Sequence, residues 1–363
     1  MSKVTSFSRC FLAACCLWAV CVHGATEKRG VIDQAERWTV EQSPYIVSDD
    51  ILVTQNARLY IAPGVTVYVG KPHSYDKRIR QIDHLDSFTV SIRVEGTLTC
   101  AGRRENRITI VGQYTDSAQC DWYGLVLDGA LSDETEIGFT DIAGACHGLM
   151  VRRGSPLVHH SVFEYNNVGL TFKEGSGAKI LNCVVAHNFA TGVRIEKANP
   201  ILLNNLIVFN RNNGVWSDGV SHFTLEYNCI YGNIDGDLVG CDPRLGILSD
   251  INKNKDSVDY KHNLVADPVF AGTAAESLAV EHDVSLPERK SQVIDTTLAK
   301  VLYESLPDSI PFRRPTAAAA LRYVLSTYSP CIDAGKKGRI YKDPDNSRSD
   351  MGVHGGPEFF QLD

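Results

Sequence analysis

A glycine followed by an apolar, strand-like segment recurs through the middle of the chain. The intervals are 24, 21, 23 and 22 residues, counted from Gly124 to Gly148, Gly169, Gly192 and Gly214. A second register agrees with the first, because the similar segments HSVFEYN, NCVVAHN, NNLIVFN and NCIYGN begin at His160, Asn182, Asn204 and Asn228. A repeat of this length without helical segments or a leucine-rich pattern predicts stacked β-coils, and it is too short for a propeller blade of about 40 residues.

The repeat predicts an all-β fold, a right-handed parallel β-helix (solenoid), which is clearest between Trp122 and Asn233. Within a unit the apolar residues alternate with polar ones, so Leu170 and Phe172 point inward while Thr171 and Lys173 point outward. Asn and Gly occupy the corners, where left-handed backbone is needed. One coil cannot cover its own apolar face, and stacking of coils makes the core continuous.

The same alignment predicts which cysteines cannot pair. It places Cys183 and Cys229 in one column, two coils apart, with Asn205 between them. Two strand spacings separate their Cα atoms by roughly 10 Å, beyond the limit of about 7 Å for a disulfide. We therefore expect no bond between them. The repeat leaves the pairing of the other cysteines open.

Segments outside the repeat carry a family resemblance. They are the opening coils at 43–67, the next coil at 94–124, and the closing stretches at 263–270 and 329–356 with the sequence SPCIDAG. With these segments the chain resembles bacterial secreted right-handed parallel β-helix proteins of the pectin-lyase-like superfamily. The resemblance implies the fold. It does not select an activity, since the superfamily contains polysaccharide lyases, glycoside hydrolases, epimerases and proteins without shown catalysis.

The N-terminus is typical of a secretory signal. Lys3 and Arg9 precede an apolar run from Cys10 to Val22, and cleavage after Gly24 is favoured. This predicts a secreted, periplasmic or cell-surface protein, with a lipid anchor at Cys15 as the alternative. Without residues 1–24 the formal charge is −9, since 34 Lys and Arg face 43 Asp and Glu. Such an acidic chain is not a general nucleic-acid binder, and after cleavage no transmembrane segment is expected.

Residues 25–363 are expected to form a single β-helix domain with distinct ends. The stretch VIDQAERW predicts a capping helix within residues 28–40 that covers the first coil. The charged residues 71–88 predict a projecting loop. Helical composition in residues 272–327 predicts a helical insertion, and residues 328–363 form the closing segment.

Outward side chains of the Gly-led strands are predicted to line up as one exposed surface, here called the charged strip. Its first column is Val126, Met150, Thr171, Arg194 and Trp216, and its second is Asp128, Arg152, Lys173, Glu196 and Asp218, with His222 just beyond. A β-elimination on a uronate needs cations that neutralise the carboxylate and a base for the α-proton. The candidate catalytic residues are therefore Arg152, Lys173, Arg194 and His222. The candidate substrate-binding residues are Asp128, Glu196, Trp216 and Asp218.

A purely structural role is the alternative explanation for each of these candidate sites. A ladder of opposite charges is what any soluble β-helix exposes to water, and each such pair contributes little. The acidic run with Asp343, Asp345 and Asp350 suggests a Ca²⁺ site, yet it lacks the glycine and terminal glutamate of an EF-hand and also fits a structural turn.

Together these features predict a monomeric, carbohydrate-associated protein whose partner is a polysaccharide or cell-surface glycan. The leading activity is a polysaccharide lyase acting on an acidic glycan. The alternative is a non-catalytic envelope or surface solenoid that binds glycans or protein partners. An enzyme needs the base and the cations to converge within a walled groove, and this criterion discriminates between the two.

Overall fold

The computed structural model describes residues 25–70, 90–112, 120–129, 134–271, 322–358 and 360, and its main body is a parallel β-helix. Each coil contributes one strand to each of three parallel sheets. Sheet 1 contains the second half of β3 (Tyr45–Val53), β6 (Ser91–Val94), β9 (Trp122–Asp128), β12 (Ala145–Arg153), β15 (Val168–Lys173), β18 (Val193–Glu196), β21 (Asn213–Ser217) and β24 (Gly236–Val239).

Sheets 2 and 3 complete the coils. Sheet 2 contains β2 (Ala35–Trp38), β4 (Arg58–Ile61), β7 (Thr97–Ala101), β10 (Glu136–Gly138), β13 (Leu157–His159), β16 (Lys179–Leu181), β19 (Ile201–Leu203) and β22 (Thr224–Glu226). Sheet 3 contains the first half of β3, β5 (Thr66–Val69), β8 (Ile108–Gly112), β11 (Thr140–Ala143), β14 (Val162–Glu164), β17 (Val184–Ala186), β20 (Leu206–Val208) and β23 (Cys229–Tyr231).

Few elements lie outside these sheets. Strand β1 (Thr26–Ile32) pairs with β3, and the two-residue strands β25 (Asp250–Ile251) and β26 (Ser257–Val258) form a small antiparallel pair. Short 3-10 turns occupy Val40–Gln42 and Arg339–Tyr341. In the described part of the chain, no helix is long and apolar enough to span a membrane.

The alternation predicted for the repeat is confirmed. Leu170 pairs with Val193 and Phe172 with Ile195, and all four side chains are fully buried in the central core. Because every coil presents the same inward positions, the apolar side chains stack from coil to coil along the helix axis.

Asparagine has two different roles at the corners. His160, Asn182 and Asn204 have positive φ angles, as the repeat predicted. At the next corner the positive φ belongs to the residue before each Asn, such as Tyr165 and His187. The Asn that follows, such as Asn166 or Asn188, is fully buried, and its side chain forms hydrogen bonds with the backbone of the adjacent coil.

The predicted column of Cys183, Asn205 and Cys229 is wrong by one residue in its last member. Hydrogen bonds from the Cys183 amide to Asn205 and from the Asn205 amide to Asn228 show that Asn228 continues the column. Cys229 instead lies opposite Leu206 and faces outward from sheet 3. The segment equivalent to the earlier ones therefore begins at Tyr227, whose φ is positive like that of Asn182 and Asn204. Cys183 and Cys229 are not bonded to each other.

The predicted N-terminal capping helix is wrong, since the stretch from Val31 to Trp38 ends β1 and forms β2. These strands pair in parallel with β3 and β4, and Trp38 is fully buried, stacked on Tyr45 at 4.9 Å. Backbone hydrogen bonds to an existing sheet edge thus outweigh a weak local preference for helix.

Residues 322–358 pack against the outside of sheet 3; they comprise the end of the predicted insertion and the described part of the predicted closing segment, and from here on they are together called the closing segment. Their apolar side chains Tyr323, Cys331, Ala334, Met351 and Val353 cover the outward residues Val162, Val184, Leu206 and Cys229. The first part, Val324 to Ser326, bonds to 269–271 as an extended bridge. The remainder of the predicted helical insertion, the 71–88 loop and the signal segment lie outside the described residues.

Candidate functional site

The first column of the charged strip has the predicted register. Met150 pairs with Val126 and Thr171, and Arg194 pairs with Thr171 and Trp216. Val126, Met150 and Thr171 are nevertheless buried. Only Arg194 and Trp216 of this column reach solvent.

Lys173, Arg194, Glu196 and Trp216 form a connected cluster, called the cationic patch here. Lys173 Nζ lies 3.3 Å and Arg194 Nε 2.5 Å from the Glu196 carboxylate. The Arg194 guanidinium lies 5.1 Å above the Trp216 ring. Partial burial acts to raise the pKa of Glu196, but Arg194 and Lys173 outweigh it and hold that pKa below its usual value. Two cations therefore share one ionised carboxylate beside an aromatic ring.

Asp128 is part of a separate, buried ion-pair cluster. Its carboxylate lies 2.7 Å from Arg93, 2.8 Å from Arg153 and 3.7 Å from Arg152. Irregular pairing between β9 and β12 places Arg153 opposite Asp128. With a side chain only 3% exposed, Asp128 links neighbouring coils through these ion pairs. Arg152 is further paired with Glu174 at 3.2 Å.

Asp218 stabilises the turn that follows β21. Its carboxylate accepts hydrogen bonds from the backbone amides of Lys197, Val220 and Ser221 and from the Ser221 hydroxyl. Although slight burial acts to raise it, the pKa of Asp218 is lowered by these donors. This geometry is that of a turn-forming aspartate.

His222 is separated from the other candidate catalytic residues. It lines a cavity of about 360 Å³ together with Phe223, Asp242, Tyr260 and Lys261, and no residue of the cationic patch lines that cavity. Of the four candidate catalytic residues, Lys173 and Arg194 thus belong to the cationic patch, Arg152 pairs with Asp128 and Glu174, and His222 lines this cavity.

His147 is the chemically notable residue that sequence reasoning missed. It lies on β12, with Nδ1 2.9 Å from the Thr171 hydroxyl and its ring 5.5 Å from Tyr123. Burial lowers the pKa of His147 to about 4, and the nearby charges of Lys173 and Arg194 act in the same direction. The imidazole is thus neutral at pH 7 and lies next to the cationic patch. Its signal was present in the sequence, because no other unit has histidine immediately before its leading glycine.

A disulfide fixes the backbone beside His147. Cys146 is bonded to Cys120, which joins the residues leading into β9 to β12 one coil away. The repeat had not predicted this pair.

The acidic residues of the closing segment bind backbone groups. Asp343 accepts from the amides of Asp350 and Gly356, Asp345 accepts from Ser347, and Asp350 accepts from the Asp333 amide. Burial raises the pKa of Asp343 to about 6, helped by the charges of Asp350 and Asp345. No three His, Cys, Asp or Glu side chains converge on a possible metal position within the described ranges. The Ca²⁺ site stays a prediction.

A comparison with protein families agrees with the coil geometry. A family model described as "Right handed beta helix region" matches residues 115–244, about a third of the chain, and these coils carry the cationic patch. The crystal structure of pectate lyase Pel9A aligns with 14% sequence identity and a TM-score of 0.37, covering 83% of this chain and 88% of that chain. No curated protein sequence matches. The matched coils together with the observed strand register define a right-handed parallel β-helix protein.

Proposed function

We propose that this chain is a secreted, carbohydrate-associated protein whose cationic patch binds an acidic glycan without cleaving it. The observation that carries the proposal is the grouping of Lys173, Arg194, Glu196 and Trp216 on the outer face of sheet 1. The arginine and lysine side chains are 46% and 35% exposed, so a ligand can reach both.

The chemistry of the patch suits a uronate-containing polymer. A guanidinium matches the geometry of a carboxylate, and lysine adds a second positive charge. Trp216 offers an apolar ring face with a polar edge, a surface suited to a sugar ring. Parallel strands repeat every 4.8 Å or so, and they present these groups as a rigid row. Extended polymers are the ligands for which such a row is suited.

Arg194→Ala is expected to weaken binding of polygalacturonate or alginate by about tenfold, which corresponds to losing one charge-assisted hydrogen bond. Isothermal titration calorimetry on the full chain measures this change. Trp216→Ala is expected to weaken binding through the lost ring surface.

Arg58→Ala is the matched control, because Arg58 is an exposed, ion-paired arginine on sheet 2. It is expected to leave the affinity unchanged. Dextran, an uncharged polymer, should not bind measurably. Equal loss in Arg194→Ala and Arg58→Ala, or absence of binding to every uronate polymer, would contradict the proposal.

A second candidate is a polysaccharide lyase, and His147 is the observation that favours it. His222 lines a cavity that the cationic patch does not share. The neutral imidazole of His147 lies next to Lys173 and Arg194 instead, and it offers a base close to two cations. In this version the cations neutralise the uronate carboxylate and His147 removes the α-proton. The bond from the β-carbon to the glycosidic oxygen then breaks as the double bond forms, and the leaving oxygen takes a proton from water.

The lyase version is tested by ultraviolet absorbance of the unsaturated product with a panel of uronate polymers. If His147 is the base, the acid limb of the rate profile should reach its plateau above a pH of about 4, because the imidazole is unprotonated there. His147→Gln should abolish product formation while binding is retained. If no polymer yields an unsaturated product, the lyase version is contradicted and only the binding function remains.

A further inference from the structure

Two buried cysteines meet where the closing segment covers sheet 3. Cys229 begins β23 and Cys331 lies in the closing segment, and both side chains are fully buried in the same apolar cluster. Neither is bonded to another cysteine in this structure. The binding function proposed above uses neither of them.

The two side chains pack into one buried apolar cluster, and Cys331 is the neighbour that most strongly affects the Cys229 thiol. Cys229 faces outward because it pairs with Leu206, and its Sγ also lies 3.1 Å from the Ala266 carbonyl. The Cys331 backbone is held on both sides, since its amide donates to Ser329 Oγ at 3.1 Å and its carbonyl accepts from Met351 at 3.0 Å. Backbone hydrogen bonds therefore hold both cysteines in place, Cys229 on β23 and Cys331 in the closing segment.

We propose that Cys229 and Cys331 form a second disulfide, beside Cys120–Cys146, when the chain folds in an oxidising environment. The oxidant is a disulfide, either of a protein oxidoreductase or of glutathione. One thiolate attacks that disulfide to give a mixed disulfide, and the other thiolate then displaces the bound sulfur. The new S–S bond forms as the oxidant gains two electrons and is released as thiols, with two protons leaving the protein.

Burial indicates when this reaction occurs. Contact with Cys331 and burial raise the pKa of Cys229 well above its usual value, so in the folded chain the group stays a thiol and is a poor nucleophile. In the unfolded chain both cysteines are accessible. The bond is therefore made before the closing segment is fully docked, and afterwards the packed cluster shields it from reductants.

The bond would close a loop of about 100 residues that includes residues 272–321. A loop of this length removes much entropy from the unfolded chain. It would also hold the closing segment on the outward face of sheet 3, where Val184 and Leu206 depend on that segment for burial.

Peptide mapping of the full chain tests the proposal. The reduced, denatured protein is refolded with glutathione and glutathione disulfide, its remaining thiols are alkylated in denaturant, and it is digested without reductant. The expected product is a linked peptide pair containing Cys229 and Cys331. Alkylation of both residues in the refolded wild-type chain, or linkage of either to a different cysteine, would overturn the proposal.

Variants separate this bond from the first disulfide. Cys331→Ser should leave Cys229 open to alkylation, whereas Cys241→Ser, a control at a partly buried free thiol, should retain the linked pair. Reduction in denaturant followed by refolding in reductant should lower the melting temperature of the wild type by roughly 10 °C more than that of the Cys229→Ser/Cys331→Ser double variant. Equal effects of reductant on the two proteins would contradict the bond even if the single variants fold poorly.

Discussion

Replacing Asn210 with alanine is expected to lower the free energy of unfolding by about 4 kcal/mol, because several buried polar groups lose their partners at once. The Asn210 side chain accepts from the amide and Nδ2 of Asn188 and donates to Val185 and Asn233, over distances of 2.8 to 3.2 Å. Alanine removes the partner of the Asn188 amide and a donor to the Val185 carbonyl, while Asn188 Nδ2 and Asn233 Oδ1 each lose one of two partners. Asn210 is fully buried, so water does not replace these bonds. Urea denaturation of the full chain measures the change.

Asn213→Ala is the matched control, three residues further along the chain. Its side chain makes one hydrogen bond of 3.3 Å, to Asp235, in an exposed position. Its removal is expected to change stability by no more than about 0.5 kcal/mol. If Asn210→Ala were as mild as Asn213→Ala, the row of hydrogen-bonded corner asparagines, Asn166, Asn188, Asn210 and Asn233, would not be a main source of coil stability.

Replacing Arg322 with alanine is expected to cost about 3–5 kcal/mol at pH 7, because it leaves a buried carboxylate without its cation. Arg322 pairs with Glu164, whose other oxygen accepts from the Tyr323 hydroxyl at 2.6 Å. Glu164 is almost fully buried. Burial raises the pKa of Glu164, and Arg322 opposes that increase. Without the arginine this pKa should rise further.

The pH dependence of this variant follows from the sign of that shift. A carboxyl whose folded pKa is raised is tolerated when protonated, and stability is lost as pH rises through the folded pKa. The deficit of Arg322→Ala relative to wild type should therefore shrink as pH is lowered. Arg211→Ala is the control, since Arg211 is exposed and rests over Phe189. A deficit that is constant with pH would show that lost packing, not the Glu164 charge, is responsible.

Much of the fold could be predicted because its main contacts are between equivalent positions one coil apart. The spacing of Gly148, Gly169 and Gly192 sets that offset, and alternation assigns Leu170 and Phe172 to the core. The error at Cys229 arose because the matching segment was begun at Asn228, one residue late, and the hydrogen bonds of Asn228 together with the positive φ of Tyr227 reveal the true register. The error at the N-terminus arose because an eight-residue stretch cannot show that a sheet edge is available to pair with it.

The candidate site was predictable in its columns but not in its partners. Register placed Arg194 beside Trp216, as the repeat indicated. Asp128 forms ion pairs with three arginines because the strand pairing is irregular there. His222 lines a cavity together with Asp242 and Tyr260. Neither effect is visible in the 22-residue spacing. His147 gained importance only through its burial beside Lys173 and Arg194.

The sequence alone determined the coil, its inward and outward faces and the row of charged residues on the outward face, because each depends on neighbours at a fixed offset along the chain. Tertiary structure decided which charges neutralise one another, which histidine lies beside the cationic patch, and that Cys229 meets Cys331. Those outcomes depend on segments far apart in sequence that become adjacent only when the coils stack and the closing segment docks. No repeat can encode such contacts, since each of them occurs once.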